Sequence, residues 1–358
     1  MAEKIRLGVV GVRRGRSLLN CAICFPDVEA VAICDTNADA LAATREVCKI
    51  PITYSDYDEF INHDMDAVII ATPPETHAAM AIKAMNCGKH VLSEVPAVNK
   101  LSESEALRKA VAASSGVYML AENCNYWPAV EDATALIRAG SIGEVFYMEG
   151  EYLHDCRTLF HTIDGQTTWR WSYPANILYC THTMGPLLQA SGHRPVAAVA
   201  MNSGPCRNFT DAVKSNTEVL LVKTAEKSLA RIRIDFVSPR PEHGHRYLWH
   251  GSKGIVEIPF GVGETGRVYF ENAKGKNWHD LAEVAARGKE ELPDWANAGG
   301  HGSAEYFMIR DFLRACIAGS PVRNGLSDAL DMTIPGLWGV ESIREERIIM
   351  ARDDMSAR

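Results

Sequence analysis

The sequence predicts an α/β protein: an N-terminal doubly wound parallel sheet, then a C-terminal α/β domain on an open, mainly antiparallel sheet. Two observations predict it. Over the first 121 residues, continuous apolar runs alternate with helical patterns, the signature of strands covered on both faces. Beyond about residue 122, runs with period-2 alternation replace them, as in strands with one buried face. A chain of 358 residues also suggests two domains. The expected domains are 1–122 and 123–358.

The elements follow in order. Apolar runs at Ile5–Val10, Val28–Cys34, Asp66–Ala71, Lys89–Leu92 and Val117–Leu120 are the expected parallel strands. Asn37 caps a helix over about 38–48, and Ser55 one over about 56–62. Thr76 opens a third helix, which stops near Gly88. Ser102 with Glu105 forms a capping box for a fourth, which stops near Gly116. Further strands are expected at Gly143–Leu153, Val196–Asn202, Thr217–Thr224, Ser228–Phe236, Arg246–Trp249 and Gly254–Ile258. In Ser228–Phe236 the residues Ala230, Ile232, Ile234 and Phe236 share one face; Arg231, Arg233 and Asp235 share the other. Residues 261–300 are rich in glycine, asparagine and charge and are expected to form a surface excursion. Helices return at about 304–318 and 326–347.

Composition excludes several classes. Apolar residues make up 47% and charged residues 23%, as in ordinary globular chains. With 37 basic and 45 acidic residues the net charge is −8, which argues against a nucleic-acid partner. No apolar run is long enough to span a bilayer, so no membrane partner is expected. No signal-peptide pattern opens the chain, and its ten cysteines are scattered; both fit a cytoplasmic protein with reduced thiols. The pair Cys21 and Cys24 has no complementary pair, so buried apolar packing is expected of it rather than zinc or redox chemistry.

The first strand runs into Gly8-Val-Val-Gly11-Val-Arg13-Arg14-Gly15-Arg16 and then a helix. A glycine turn in that setting brings backbone N–H groups to a pyrophosphate, as in a Rossmann domain. The pattern departs from Gly-x-Gly-x-x-Gly: Arg13 stands where the second glycine belongs, and a contraction ending at Gly15 is one solution. Arg13, Arg14 and Arg16 are candidates to neutralise the pyrophosphate. Asp35 closes the second strand. A carboxylate there binds ribose hydroxyls and repels a 2′-phosphate, which favours NAD over NADP.

Two more motifs end strands: Ala71-Thr72-Pro73-Pro74-Glu75-Thr76-His77 and Gly88-Lys-His-Val-Leu-Ser93-Glu94-Val95-Pro96. With the glycine turn they resemble the Gfo/Idh/MocA oxidoreductase family. The resemblance implies that Thr72, Pro73, His77 and Glu94 line the cofactor pocket and that Asn123 approaches the nicotinamide end. Most dehydrogenases of that family have Glu-Lys-Pro where this chain has Glu94-Val95-Pro96. Their lysine helps move the proton of the hydroxyl being oxidised; valine cannot.

A narrower resemblance, to the NAD-dependent glycosidases of glycoside hydrolase family 109, rests on several segments. They are Ser93–Ala97, Ala121–Tyr126, Gly150-Glu151-Tyr152-Leu153-His154-Asp155 and Tyr179-Cys-Thr-His182-x-x-Gly185-Pro186, with Ser238–Pro241, Gly251–Gly254 and Gly300-His301-Gly302. It implies that Tyr179 and His182 stand in the active site, and that Glu122 and Tyr152 match two further site positions. Glu242 replaces the family's tyrosine, so the resemblance does not carry N-acetylgalactosamine specificity over to this chain. The resemblance implies hydrolysis by transient oxidation at C3, loss of the C2 proton, elimination, water addition and re-reduction. On that route His182 is the acid/base at the C3 hydroxyl, Tyr179 its assistant, Tyr152 the base at C2, and Glu122 an orienting carboxylate. These roles are interchangeable on sequence alone. The alternatives are a sugar dehydrogenase that releases NADH and a non-catalytic sensor of NAD and sugar.

Trp169 and Arg170 are candidates for a sugar-binding wall, and His245, His301 and Tyr306 for further sugar contacts. His243 and His245 point to one face, but no third ligand accompanies them, and no metal is expected. The implied partners are a small sugar or glycoside and a second copy of the chain, as a homodimer or homotetramer through the open sheet.

Overall fold

The computed structural model describes residues 4–162, 165–204, 216–240, 244–260, 265–272, 277–288 and 290–351. The chain divides into two compact units. The first comprises Met1–Tyr126 and Glu290–Leu330, the second Trp127–Lys289 and Asp331–Arg358. Residues 290–330 thus return to the first unit, which a single boundary after residue 122 does not include.

The first unit holds a parallel sheet of β1 Ile5–Val10, β2 Val28–Cys34, β3 Ile52–Tyr54, β4 Ala67–Ile70, β5 His90–Ser93 and β6 Tyr118–Leu120. Their order is β3-β2-β1-β4-β5-β6. All pairings are parallel. This is the Rossmann order, with its switch point between β1 and β4. The strands are apolar throughout because helices cover both faces: Val9, Ala32, Val68, Ile70 and Val91 are wholly buried. Strand β3 is an addition to the sequence reading; its residues are half-exposed, as suits a short edge strand.

The helices are α1 Val12–Ala22, α2 Ala38–Cys48, α3 Tyr57–Phe60, α4 Pro74–Asn86 and α5 Leu101–Ala113. Asn37 caps α2 as expected, its side chain accepting from Ala40 N at 2.8 Å. Three other starts differ from expectation. Asp56, not Ser55, caps α3, accepting from Asp58 N and Glu59 N at 2.7 and 3.0 Å; its charge also complements the helix dipole. α4 opens at Pro74, whose fixed φ suits a first turn, and the Thr76 hydroxyl bonds back to Pro73 O at 2.8 Å. α5 begins before Ser102, and Glu103 bonds the N–H groups of Asn99 and Lys100 at 2.8 and 3.1 Å.

The second unit is built on a nine-stranded sheet, ordered β14-β13-β12-β11-β7-β10-β9-β8-β15. The strands are β7 Val145–Leu153, β8 Pro195–Asn202, β9 Thr217–Thr224, β10 Leu229–Asp235, β11 Gly244–Gly251, β12 Gly254–Ile258, β13 Arg267–Phe270, β14 His279–Asp280 and β15 Ile349–Met350. Every pairing is antiparallel except that of β7 with β10. Strands β13 and β14 extend the sheet, so the 261–300 segment is more than a surface excursion. One face packs on the helix Thr181–Ser191: a Cβ on Gly150 would lie 2.9 Å from Thr183 Cβ, and Trp249 Nε1 donates to Leu187 O at 3.3 Å. The other carries alternating charges, including Arg231 between Glu149 and Glu151 at 2.8 and 2.6 Å. Asp235 departs from its expected exposed face: it is 1% exposed, and accepts from Val237 N and Ser238 N at 2.9 and 2.7 Å. No helix among the described residues is long and apolar enough to cross a membrane.

Candidate active site

In the first unit the glycine turn sits at the switch point. Gly11 adopts φ +85, and a Cβ there would lie 2.5 Å from the Ala71 carbonyl carbon and oxygen. Only glycine lets β1 turn into α1 so close to the end of β4. Gly15 lies inside α1, where a Cβ would be 2.7 Å from Val9 Cγ1, so it sets the close packing of helix on strand. The first turn of α1 carries no acidic residue, which leaves its positive end available to a phosphate. Asp35 stands beside it: Oδ2 accepts from Val12 N at 2.8 Å and Oδ1 from Asn37 N at 2.9 Å. A close-approach glycine, a non-acidic helix N-terminus and a carboxylate at the end of β2 together fit a dinucleotide.

Asp35→Ala is expected to weaken NAD binding by about 10- to 100-fold, since a hydrogen bond to a charged group contributes about 1.5–3 kcal/mol. It is also expected to narrow the preference for NAD over NADP. Parallel calorimetric titrations of both nucleotides check this; an unchanged preference would remove Asp35 from ribose recognition.

The other expected cofactor residues fall around this turn. Arg13 is exposed, whereas Arg14 is half-buried and engaged within the protein: Nε meets Glu94 Oε1 at 2.6 Å and Nη1 meets Ser17 Oγ at 3.0 Å. Thr72 and Pro73 follow β4, with Thr72 Oγ1 2.7 Å from Thr76 Oγ1. His77 is 1% exposed, its ring nitrogens 2.7 Å from Thr72 O and 3.0 Å from Pro96 O. It thus ties the loops after β4 and β5 together. Glu94, Val95 and Asn123 are buried. Cys21 is also buried, and burial pushes its thiol up to about 12, against a thiolate there.

In the second unit a ring cluster forms where strand ends meet the helix Thr181–Ser191. Tyr152 ends β7, and the register sets it opposite His245 of β11. The two rings stack at 4.2 Å and 13°. His182, in the first turn of the helix, meets the Tyr152 ring edge-on at 5.3 Å. Tyr179 lies 5.1 Å from His182. Tyr247 Oη donates to His182 O at 2.6 Å, and Ile177 N to the buried Glu218 at 2.6 Å, fixing both ends of the Tyr179–His182 segment. Trp169 lies 6.5 Å from Tyr179 at 26°, and the Arg170 guanidinium sits 4.3 Å over Trp169.

So Tyr152, Tyr179, His182, His245, Trp169 and Arg170 converge. Glu122 belongs to the first unit; it is fully buried and its Oε1 accepts from Cys124 N at 3.1 Å. His301 and Tyr306 also belong to the first unit. Tyr306 packs between Phe25 and Trp295 at 5.4 and 5.3 Å, and His301 pairs with Glu305. Glu242 and His243 lie outside the described residues. The sequence reading missed His154, whose Nδ1 is 2.8 Å from Tyr152 Oη. Its position two residues after Tyr152, on the same strand face, was a usable signal. It also missed Phe236, 5.3 Å from Tyr152.

Residues 5–122 match the family described as oxidoreductase family, NAD-binding Rossmann fold. Curated relatives include a glycosyl hydrolase family 109 protein of Saccharopolyspora erythraea, 29% identical over 96% of this chain and 81% of the relative. One from Solibacter usitatus is 28% identical over 93% and 84%. Among solved structures, levoglucosan dehydrogenase with NADH and levoglucosan superposes with a TM-score of 0.82 at 20% identity, over 97% and 99% of the chains. A scyllo-inositol dehydrogenase from Lactobacillus casei gives 0.77 at 18%, over 97% and 99%. These structural likenesses establish the fold. With its glycine turn, its strand order and the match over residues 5–122, the N-terminal domain is an NAD-binding Rossmann domain similar to the Gfo/Idh/MocA oxidoreductases, and its cofactor is NAD.

Proposed function

We propose that the protein is an NAD-dependent glycoside hydrolase that returns its cofactor to the oxidised state in each turnover. The observation that carries this reading is Val95. It is 2% exposed and occupies the place where dehydrogenases of the resembled family hold a proton-moving lysine. Proton transfer is therefore assigned to the tyrosines and histidines of the second unit. Near full-length similarity to family 109 proteins supports the same reading.

Gly11, Arg14, Asp35, Thr72, Pro73, Glu94 and Asn123 are the residues proposed to hold NAD. Bound, NAD+ supplies a reversible hydride acceptor that makes a ketone at C3 of the sugar and so acidifies the C2 proton. His182 takes and returns the C3 hydroxyl proton. Tyr152 removes the C2 proton and gives it back. Its hydroxyl has a partner for that task, since His154 Nδ1 lies 2.8 Å away. Tyr179 polarises the carbonyl beside His182. Trp169 offers an aromatic face to the sugar and Arg170 a cation. Departure of the C1 substituent by elimination needs no carboxylate pair flanking the bond.

The test is turnover of a panel of α- and β-aryl glycosides of neutral, amino, uronic and sulfonated sugars, in heavy water with sub-stoichiometric NAD+. Repeated aglycone release, with deuterium at C2 and no NADH accumulating, is the expected result. NADH formed in step with a free sugar, without aglycone release, would leave a dehydrogenase instead.

A further inference from the structure

Three residues far apart in sequence converge beside the glycine turn of the first unit. Arg14 lies in the first turn of α1, Glu94 follows β5, and Glu305 begins the helix Ala304–Ala318. Glu94 is 7% exposed and Glu305 is 0% exposed. A carboxylate removed from water to that degree costs several kcal/mol unless it is paired and hydrogen-bonded. Glu305 meets that cost with three partners: Arg14 Nη2 at 3.3 Å, His301 N at 3.1 Å and His301 Nδ1 at 2.5 Å.

Arg14 is held in turn. Its Nε goes to Glu94 at 2.6 Å, its Nη2 to Glu305, and its Nη1 to Ser17 Oγ at 3.0 Å. Ser17 Oγ also donates to Gly299 O. The rigid fork of a guanidinium carries orientation from one partner to the next. At the far end, both oxygens of Glu94 are committed, Oε1 to Arg14 and Oε2 to Val95 N at 3.1 Å. Glu94 stands at the carboxyl edge of the parallel sheet, one strand from the switch point, where open α/β sheets bind their ligands.

We infer that Glu305, braced by His301, is a positioning residue for the NAD site: it orients Arg14, which orients Glu94. This gives residues 290–330 a part in cofactor affinity. It rests on the NAD-binding Rossmann domain and not on the hydrolase reading, so it stands whichever sugar reaction is found.

The test is calorimetric titration of NAD+ into the wild type, E305Q, R14Q and the double variant, with thermal midpoints recorded for each. E305Q is expected to weaken NAD+ about tenfold, the effect of losing one hydrogen bond to a charged group. On the R14Q background the same change is expected to shift affinity by less than about twofold, because its route runs through Arg14. Equal effects on both backgrounds, or no effect in the wild type, would overturn the inference. A merely structural role would lower both midpoints and leave that difference absent. If E305Q does not fold, H301A serves instead, as the His301 side chain is 49% exposed. It is expected to weaken NAD+ in the wild type and to do nothing on R14Q; equal effects on both would again overturn it.

Discussion

Tyr152→Phe is expected to lower glycoside turnover by about 10²–10⁴-fold, the usual contribution of a positioned acid or base. The change removes one hydroxyl and leaves the ring. The stack on His245 at 4.2 Å and the edge contacts with His182 and Phe236 at 5.3 Å depend on the ring alone. Folding and NAD affinity should therefore be kept while kcat falls. What is lost is the oxygen 2.8 Å from His154 Nδ1. The check is kcat on whichever aryl glycoside the panel identifies, with an NAD+ titration beside it. Deuterium uptake at C2 should be lost with turnover if Tyr152 is the base. Full turnover in the variant would pass that role to another residue of the cluster.

Gly11→Ala is the second change with a large expected effect. The position has φ +85, and the added Cβ would sit 2.5 Å from the Ala71 carbonyl carbon and oxygen. Left-handed backbone costs a non-glycine residue about 1–3 kcal/mol, and the opposing atoms are main chain of β4's end, which cannot rotate away. A loss of about 3 kcal/mol in stability is expected, and NAD affinity should fall about 100-fold or more as the turn shifts. Gly15→Ala is the useful contrast, because its collision is with a side chain, Val9 Cγ1. Chemical denaturation and NAD titration of both variants check this. Equal stability for Gly11→Ala and the wild type would mean that the turn has another conformation open to it.

What the sequence made legible follows from how local each signal is. Five of the six parallel strands were readable because both faces are buried and the apolar runs are continuous; the half-exposed edge strand β3 lacks that signal. Asn37 was readable because a cap is a short-range contact. The start of α5 was not, since the expected Ser102-x-x-Glu105 and the observed Lys100-x-x-Glu103 differ by two residues, a choice that only tertiary packing resolves. The parallel pairing of β7 with β10 inside an antiparallel sheet leaves no mark on either strand. In the candidate site, Tyr179 and His182 were found through a compact motif. The contacts of Glu305 and Arg14 span 291 positions, and no local pattern signals them. Tyr306 shows the limit of a local signal: an aromatic near a glycine-rich stretch suggests a sugar contact, and nothing local marks its packing on Phe25 and Trp295.

The return of residues 290–330 to the first unit has a consequence for synthesis. Ser17 meets Gly299, and Phe25 meets Trp295 and Tyr306, only after most of the chain exists. At roughly 5–20 residues per second, about 200 residues of waiting separate the end of the six-stranded sheet from the segment that completes it. That is on the order of 10–40 seconds in which the nascent sheet carries an uncovered aromatic ring and an arginine without its buried carboxylate. The nucleotide site is thus among the last parts of its own unit to be finished, although it is among the first to be made.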